Sequence, residues 1–467
     1  MTDTSAQSTA PPSGGMRTFF IVWGGQLISV IGTTVTGFAL QFWVFVETGS
    51  VTQLAMVTLA VTLPATILSP FAGALVDRWD RRLVMIGADT LAAVSTIAIA
   101  VLHFTGGLEI WHIYLMAGFG AVGNAFQVPA WLAAMPTLVP KQHLDRANGM
   151  TQLNEGVSLV LGPVIAGALL GLSGLGAILL LDITTFVVAV ATLMAVRFPH
   201  VERSVVDDED GSIRSEVRSG WRFLRARTGL MWLLWMYAGV NFVMSFTNVL
   251  IIPMILSFAG EGTAGTIFSI GGLGLVAGSL LVSIWGGFKN RIATITLGIS
   301  IAGLLIAMVG LRPNALLVGT GFVLMLLTIP FVNTASQVLW QLKVPLGMQG
   351  RVFALRRTVA SAMAPIAILA AGPLADKVFE PLMAADGALA GSVGSVIGAG
   401  PGRGIAFLVI ISGLMTAVLG QLGWLHPRVR DLETELPDIL PDDPDGSGPK
   451  PDGNSGQAGT ESTPPVG

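Results

Sequence analysis

The sequence predicts an all-α membrane protein whose twelve transmembrane helices form two parallel six-helix half-bundles. Three observations lead to this fold class. The 467 residues are 52% hydrophobic and only 11% charged, with a mean hydropathy of +0.73, whereas soluble domains carry about 25% charged residues. Apolar runs long enough to span a bilayer recur between short polar breaks. Blocks of sequence also repeat at one fixed spacing, as in a duplicated bundle.

Twelve apolar segments are long enough to cross a bilayer as helices, which takes about 20 residues. Several are longer than that, and we expect them to tilt or to extend into the interface. The predicted spans lie at about residues 17–46, 51–76, 83–104, 111–138, 148–172, 175–197, 230–258, 264–287, 292–311, 314–341, 352–378 and 403–425.

Basic residues in alternate breaks predict the orientation through the positive-inside rule. With both termini in the cytoplasm, only Arg312, Lys377 and Arg403 of the 25 basic residues lie outside. We therefore expect a multi-pass protein of the cell (inner) membrane with both ends inside. The basic breaks hold Arg78, Arg81, Arg82, Lys141, Arg146, Lys289, Arg291, Lys343 and Arg351.

The remaining segments complete the predicted domain organisation. After Arg430 the chain carries nine acids, one lysine and seven prolines, which is too polar to bury a core and is typical of disorder. We predict a disordered N-terminal tail at 1–16, six-helix bundles at 17–197 and 230–425, a cytoplasmic linker at 198–229, and a disordered acidic cytoplasmic tail at 426–467.

Within the linker, Arg214, Arg218 and Arg222 are spaced four residues apart, and Val217 and Trp221 fall on another helical face. This pattern favours an amphipathic helix on the inner membrane surface; a solvated connection between the two bundles is the alternative.

An internal repeat supports the two bundles. The blocks that begin at Gly73, Val139 and Ala166 reappear 205 residues later, at Gly278, Val344 and Ala371. Three blocks with one offset predict six helices repeated in parallel orientation, which is the plan of a transporter with its site between two halves.

Composition also excludes several functional classes. The chain has no cysteine, so disulfides, thiolate metal sites and cysteine nucleophiles are ruled out. It has no glycine–lysine pair and therefore no P-loop, and its five histidines have no metal-ligand spacing. With a net charge of −3, we expect no nucleic-acid partner. Because these motifs are missing, we also expect no cofactor, no metal and no enzymatic activity.

The break between spans 2 and 3 carries the most specific motif, with Gly73, Asp77, Arg78, Asp80, Arg81 and Arg82. It resembles the loop 2–3 signature of the major facilitator superfamily, with Asp80 in place of the second glycine. The resemblance implies a latch. Asp77 would accept from amides at the N-terminus of span 11, and the arginines would pair across the cytoplasmic seam. Ordinary basic charge of an inner loop is the alternative.

Span 5 resembles the antiporter motif of the same superfamily, with serine and alanine in two glycine positions. Small residues let helices approach closely, and the proline bends the helix; the resemblance implies a seal against leak in proton-coupled exporters. Plain helix packing is the alternative. The motif residues are Gly149, Ser158, Gly162, Pro163, Ala166 and Gly167.

Three further segments are similar to the macrolide-efflux and enterobactin-exporter group of this superfamily: residues 139–149, 181–186 and 400–404. The resemblance covers residues 17 to 425. One departure is that residues 111–139, in span 4, contain no arginine, whereas proton-coupled drug exporters often have one there.

Three carboxylates in or near the spans are candidate proton carriers. Asp182, Asp89 and Glu155 are expensive in a membrane and therefore functional candidates. The alternative is a structural role, either an ion pair or a hydrogen bond to a neighbouring helix, and Arg356 and Arg357 could pair with Asp89 and Glu155. The peripheral position of span 6 in this fold counts against Asp182 as the carrier.

Substrate contacts are expected from spans 1, 4, 7 and 10, where mid-span amides and aromatic rings suit a large hydrophobic or amphipathic cargo. The candidates are Gln26, Phe38, Gln41, Phe42, Asn124, Gln127, Asn241, Phe242, Ser245, Asn248, Asn333 and Gln337.

Together these features predict a secondary active transporter that exports a hydrophobic or amphipathic small molecule (a drug, a macrolide or a siderophore-like compound) in exchange for protons. We expect it to act as a monomer in the lipid bilayer. The alternatives are a nutrient symporter or uniporter of the same fold and a non-transporting membrane sensor.

Overall fold

We describe a computed structural model of the chain, covering residues 15–139, 144–196, 198, 213–285 and 287–436. All regular secondary structure in these ranges is helical. The first half contains α1 (Gly15–Thr48), α2 (Val51–Arg78), α3 (Arg81–Phe104), α4 (Ile110–Leu138) and α5 (Leu144–Ala195).

The linker helix α6 (Ile213–Arg225) precedes the second half. That half contains α7 (Thr228–Leu256), α8 (Glu261–Trp285), α9 (Arg291–Gly310), α10 (Ala315–Lys343), α11 (Leu346–Leu374), a π-helical turn (Ala375–Phe379), α12 (Glu380–Met383), α13 (Val393–Ile397), α14 (Arg403–Leu425), α15 (Pro427–Arg430) and α16 (Leu432–Glu435).

Ten helices of the described chain are long and apolar enough to cross a membrane. One of these, α5, comprises two spans, because the backbone leaves helical geometry at Gly174, with φ 73° and ψ −179°. Only glycine adopts such a conformation without strain. Helix α4 is not among these ten, but it has the same length as α7 and α10, at 29 residues, and counting it gives the twelve predicted spans. The predicted all-α membrane fold is confirmed.

The 205-residue repeat holds in the helix boundaries. Helices α4 and α10 begin and end 205 residues apart, and so do their N-cap residues, Glu109 and Asn314. The residues that follow them, Val139 and Val344, keep the same spacing and the same extended backbone. Helices α4 and α10 are therefore equivalent in the two halves, as the repeat predicts.

The main contacts between the halves are made by two helix pairs, α2 with α11 and α5 with α8, and α7 also contacts α1 and α2. A buried apolar cluster joins them at one end of the bundle, where Phe42 and Leu54 of the first half meet Ile251 and Ile368 of the second. We call this the closed end; helices α2 and α8 begin there and α11 ends there.

At the opposite end, each half keeps a buried cluster of its own. One contains Phe19, Val76 and Leu138 of the first half, and the other contains Leu224 and Leu339 of the second. Among the described side chains, no buried cluster joins the halves there. The opposite end also carries the basic breaks of the sequence.

A carboxylate of the second half caps a helix of the first half at the closed end. The two oxygens of Asp376, in the π-helical turn after α11, accept from Ser50 Oγ at 2.7 Å, Val51 N at 2.9 Å and Thr52 N at 2.8 Å. Amides at a helix N-terminus have no partner within the helix, so a carboxylate there is favourable. Asp376 therefore fastens the halves together at this end.

The C-terminal segment corrects one prediction. Residues 427–436, expected to be disordered, form α15 and α16, where Val429 and Leu432 are each 1% exposed in the cluster at the opposite end. Glu433 accepts from the amides of Arg291 and Ile292 at the start of α9, so the acidic tail begins with a docked segment. Helix α1 likewise begins at Gly15, within the segment 1–16 that was expected to be disordered.

Of the linker, residues 199–212 lie outside the described part of the chain. In α6, Leu224 is buried against the second half, and Arg218, Trp221 and Arg222 are exposed. The location of α6 at a membrane surface stays a prediction.

We expect Asp376→Asn to loosen the closed end, because it removes charge-assisted hydrogen bonds worth about 1.5–3 kcal/mol. The chain has no cysteine, so Ala55→Cys, 3% exposed between α2 and α11, supplies a single thiol. Labelling of this thiol by a soluble maleimide should accelerate about tenfold with Asp376→Asn. The control is Asp386→Asn, at an exposed acid; equal rates in both variants would contradict the role of Asp376.

Candidate functional site

A cavity of about 440 Å³ lies inside the first half, between α1, α2, α3, α4 and the second part of α5. Its wall combines aliphatic side chains with hydroxyl, amide and carboxyl groups. No lysine or arginine lines it. The polar lining residues are Gln26, Ser29, Thr33, Thr34, Thr36, Gln41, Thr58, Thr62, Asp89, Ser95, Thr96, Asn124, Gln127 and Asp182.

Asp89 forms one polar centre of the cavity. It lies on α3, is 5% exposed, and accepts from two amides. Gln26 of α1 donates to Oδ2 at 3.0 Å, and Gln127 of α4 donates to Oδ1 at 3.0 Å. Gln127 also donates to Gln26 Oε1 at 2.8 Å. The three side chains tie α1, α3 and α4 together, and each carboxylate oxygen of Asp89 has a donor.

Asp182 forms the second centre, on the second part of α5, and is 1% exposed. Thr96 of α3 donates to its Oδ2 at 3.0 Å, and the hydroxyl of Thr185 donates to its backbone carbonyl at 2.7 Å. Its Oδ1 is buried without a hydrogen-bond partner, and so is Thr36 Oγ1 on α1. One buried acceptor of Asp182 is therefore open for a proton or another donor.

Helix α1 passes over Asp182 at Gly32. A Cβ atom at this position would lie 2.9 Å from Asp182 Oδ1 and would overlap the hydroxyl of Thr185. The absence of a side chain at Gly32 therefore lets α1 cover the carboxyl group and exclude larger groups from it.

The two carboxylates have no basic partner in the described part of the chain. The predicted pairing of Asp89 with Arg356 is wrong, because Arg356 lies in the second half and donates to Ser336 at 2.9 Å. Burying a charge without a partner is costly. The cavity can therefore take up a proton or a cationic group as its neutralising partner.

The structure brings together only part of the predicted substrate set. Gln26, Gln41, Asn124 and Gln127 line the cavity, as do Asp89 and Asp182. Phe38 does not; its ring packs between Phe42 and Phe268 of α8 at 6.1 and 5.4 Å.

The second-half candidates lie elsewhere. Asn241 donates to the carbonyl of Tyr237 within its own helix. Phe242 packs against the cluster that closes the bundle, Ser245 is half-buried, and Asn248, Asn333 and Gln337 are exposed. None of them lines this cavity. Their role as substrate contacts stays a prediction.

The loop 2–3 motif makes its described contacts within the first half. Asp80 caps α3 by accepting from the amides of Arg82 at 2.9 Å and Leu83 at 3.1 Å. Arg81 donates to the carbonyl of Ala133 at 2.9 Å, and Arg82 donates to the carbonyls of Leu193 and Met194 at 2.8 Å. Among the described side chains, neither arginine pairs across the seam. The side chains of Asp77 and Arg78, and the surroundings of Gly73, lie outside the described residues, so the latch stays a prediction.

The span 5 motif lies where α5 contacts α1 and α8. A Cβ at Gly162 would lie 3.2 Å from Thr34 Cβ, and one at Gly167 would lie 3.0 Å from the carbonyl carbon of Glu261. Pro163 O faces Gly265 of α8, where a Cβ would overlap it. The small residues therefore allow backbone contact at the closed end. Of the other motif positions, Ala166 and Ser158 are buried, and the surroundings of Gly149, like the side chain of Glu155, lie outside the described residues.

Sequence reasoning missed Gly32, Asp376 and three threonines around Asp182, namely Thr36, Thr96 and Thr185. One signal was present, because threonines cluster in span 1 at 33, 34 and 36 and also follow Asp182 at 184 and 185. Hydroxyl groups at this density in apolar helices indicate a polar site.

We expect Gly32→Ala to destabilise the protein by about 1–3 kcal/mol, because the added methyl group overpacks the contact with Thr185 and Asp182. The matched control is Gly37→Ala, on the same helix and cavity wall, where nothing lies within 4 Å of the added atom. That variant should be neutral or gain up to about 1 kcal/mol from helix propensity. Thermal unfolding in detergent compares the two, and equal midpoints would refute the close packing at Gly32.

Comparison with known proteins agrees with this architecture. Residues 22–368 match the family model described as Major Facilitator Superfamily. The macrolide efflux protein A of Streptococcus pyogenes is 31% identical over 370 residues, covering 77% of this chain and 90% of that protein. The multidrug efflux pump Tap of Mycolicibacterium fortuitum is 25% identical, covering 74% of this chain and 86% of that protein.

Among solved structures, an inward-facing bacterial homologue of the human lysosomal transporter Spinster has a TM-score of 0.63 at 15% identity. It covers 87% of this chain and 97% of that one. With this fold, and with a family model that matches most of its length, the chain belongs to the major facilitator superfamily of multi-pass membrane transporters.

Proposed function

We propose that this protein is a proton-coupled exporter of a hydrophobic or amphipathic small molecule, with drugs, macrolides and siderophore-like compounds as the candidate classes. The observation that carries the proposal is the pair of buried carboxylates, Asp89 and Asp182, in one cavity without a basic partner. The similarity to a macrolide efflux protein and a multidrug efflux pump supports the export of such compounds.

Asp182 is the proton carrier in this proposal. A proton on its Oδ1 can be donated to Thr36 Oγ1, which would give both buried atoms the partner that they lack. Asp89 differs, since both of its oxygens already accept from amides. These two hydrogen bonds stabilise the charged form of Asp89 and so oppose its protonation. The open oxygen therefore favours Asp182, even though it lies on a peripheral span.

Asp89 and its two amides form the cargo side of the cavity. Gln26 and Gln127 lie on α1 and α4, and they can rotate to offer a donor or an acceptor to a ligand. The aliphatic wall around them suits an amphipathic molecule with a few polar groups. Asp89 and Asp182 lie in one small cavity, so a cationic group of the cargo at Asp89 would disfavour a proton at Asp182, and the proton would disfavour the cation. Binding of the cargo and binding of the proton are thereby coupled.

The structure corresponds to the state open toward the cytoplasm in this proposal. The halves are joined at the closed end by the apolar cluster and Asp376, and the basic breaks lie at the opposite end. By the positive-inside rule, the opposite end faces the cytoplasm of the inner membrane, with both termini on that side. We propose that the transporter works as a monomer and that Asp77 fastens the cytoplasmic end in the other state.

A nutrient symporter or uniporter is the second candidate. The observation in its favour is the lack of an arginine in α4, since drug exporters of this superfamily often couple protons through one. The direction of proton movement distinguishes the two functions, because protons move with the cargo in a symporter and against it in an exporter.

The test uses purified protein in liposomes with an imposed pH gradient. Macrolides and lipophilic cations serve as cargo, and cargo and proton fluxes are followed together. We expect cargo to move against its own gradient while protons move oppositely. Parallel movement would favour the symporter, movement only down the cargo gradient would favour the uniporter, and both outcomes would contradict the exporter.

In the same assay, Asp182→Asn should abolish the response to the pH gradient and leave downhill exchange of cargo intact, because the amide cannot carry a proton. Asp89→Asn should instead weaken cargo binding, with a raised KM. The control is Asp386→Asn at an exposed acid outside the cavity. If Asp182→Asn kept normal coupling, Asp182 would return to a structural role.

Asp77→Asn tests the latch at the cytoplasmic end. Removing the charge should weaken the cap on α11 by about 0.3–1 kcal/mol and slow turnover while expression stays normal. Asp80→Asn is a useful comparison, because the hydrogen bonds of Asp80 lie within its own half at the start of α3. Turnover at the wild-type rate in Asp77→Asn would remove the latch from the mechanism.

A further inference from the structure

An arginine is buried among aromatic rings in the second half. Arg356 lies ten residues from the start of α11, about 15 Å along the helix. Its guanidinium donates to Ser336 Oγ at 2.9 Å and lies 5.4 Å from the ring centroids of both Tyr237 and Trp340. The side chain is half-buried, so it remains partly accessible.

Donors exceed acceptors around this guanidinium. No carboxylate of the described chain forms an ion pair with Arg356. Beside it, Tyr237 Oη and Trp340 Nε1 are buried without a hydrogen-bond partner. The hydroxyl of Ser336, which is 0% exposed, already accepts from Arg356. A cation within a membrane bundle is costly and marks a functional site by default. The guanidinium of Arg356 therefore lacks a negatively charged hydrogen-bond acceptor.

The repeat shows that the fold itself does not require this arginine. Subtracting 205 from its position gives Thr151 of α5, whose hydroxyl contacts Trp131 Nε1 at 3.2 Å and Met135 Sδ at 3.9 Å. The equivalents of Trp131 and Met135 are Ser336 and Trp340, which are the residues around Arg356. The first half therefore fills this position with a neutral contact between helices. In the second half, a small serine faces the long basic side chain.

We propose that Arg356, with Tyr237 and Trp340 beside it, binds an anionic oxygen group, a phosphate or a carboxylate, that enters the bundle from the end opposite the closed end. The guanidinium offers bidentate donors to such a group, and the faces of Tyr237 and Trp340 hold the guanidinium in place. The bound group supplies the acceptor that this part of the second half lacks. The site is independent of the acidic cavity of the first half and therefore of the proposed proton coupling.

The test measures ligand-induced stabilisation of the purified full-length protein. The probes are inorganic phosphate, a short-chain phosphatidylglycerol, and a short-chain phosphatidylcholine as the lipid without net charge. We expect an anionic probe to raise the unfolding midpoint in a saturable way, and Arg356→Gln to weaken its binding at least tenfold. The matched control is Arg357→Gln, at an exposed arginine next in sequence, which should bind like the wild type.

The probes also identify the source of the anionic group. Saturation by phosphate indicates a soluble ligand, and saturation by phosphatidylglycerol alone indicates a phospholipid headgroup. Should Arg356→Gln fail to fold, Tyr237→Phe removes one of the buried donors with little change in shape and should weaken binding several-fold. The proposal is overturned if neither anionic probe binds, or if Arg356→Gln and Arg357→Gln bind equally well.

Discussion

A carboxylate inside a membrane protein has to be neutralised, and the arrangement of the first half follows from how this chain meets that requirement. Asp89 accepts from two amides and Asp182 from the hydroxyl of Thr96, and among the described side chains neither has a base beside it. Hydrogen bonds from neutral donors stabilise a charge only in part, so both sites remain responsive to a proton or a cation. Helices α1, α3, α4 and the second part of α5 converge on these two groups, and the close approach at Gly32 keeps one of them covered. The polar network therefore joins four helices of this half at one place, and in the proposed function it also couples two ligands.

The contact between the halves depends mainly on the backbone, through close approach of helices and through free amides at a helix start. Glycines in α5 and α8 bring two backbones together, and Asp376 ends α11 against the free amides that begin α2. Helices α2 and α11 run in opposite directions, so the C-terminus of α2, with Asp77, and the start of α11 lie on the same side of the bundle. In the proposed mechanism, this helix pair carries a carboxylate cap at each end in turn. Breaking one cap while forming the other would exchange similar interactions and keep the energy difference between the two states small.

Much of this fold could be predicted from sequence, because the bilayer restricts the solutions to apolar helices of known length and the repeat supplies the pairing of the halves. The helix starts at Asp80 and Asn314 follow from capping chemistry.

The site was predicted less well than the fold. Gln26 and Gln127 were identified as mid-span amides, but their bonds to Asp89 depend on the rotation of three helices about their axes, which no local pattern specifies. Asp182 was not expected at a central cavity, because span 6 is peripheral in the fold that the sequence resembles. The contact of Asp376 with Ser50 joins residues 326 positions apart, and no repeat or motif relates them.

The two halves share one plan but have diverged in charge, and this difference explains why a symmetric fold need not have a symmetric site. At equivalent positions the first half has Thr151 with Trp131, and the second has Arg356 with Ser336. The large and small partners are exchanged, so the volume of the contact is kept while its charge changes. The first half likewise has an acidic cavity, whereas apolar side chains fill the interior of the second. In a duplicated bundle, both halves must preserve the contacts between their helices. A functional polar group, in contrast, is needed in one half only. Substitutions that conserve volume can therefore place acid in one half and base in the other without disturbing the packing on which both depend.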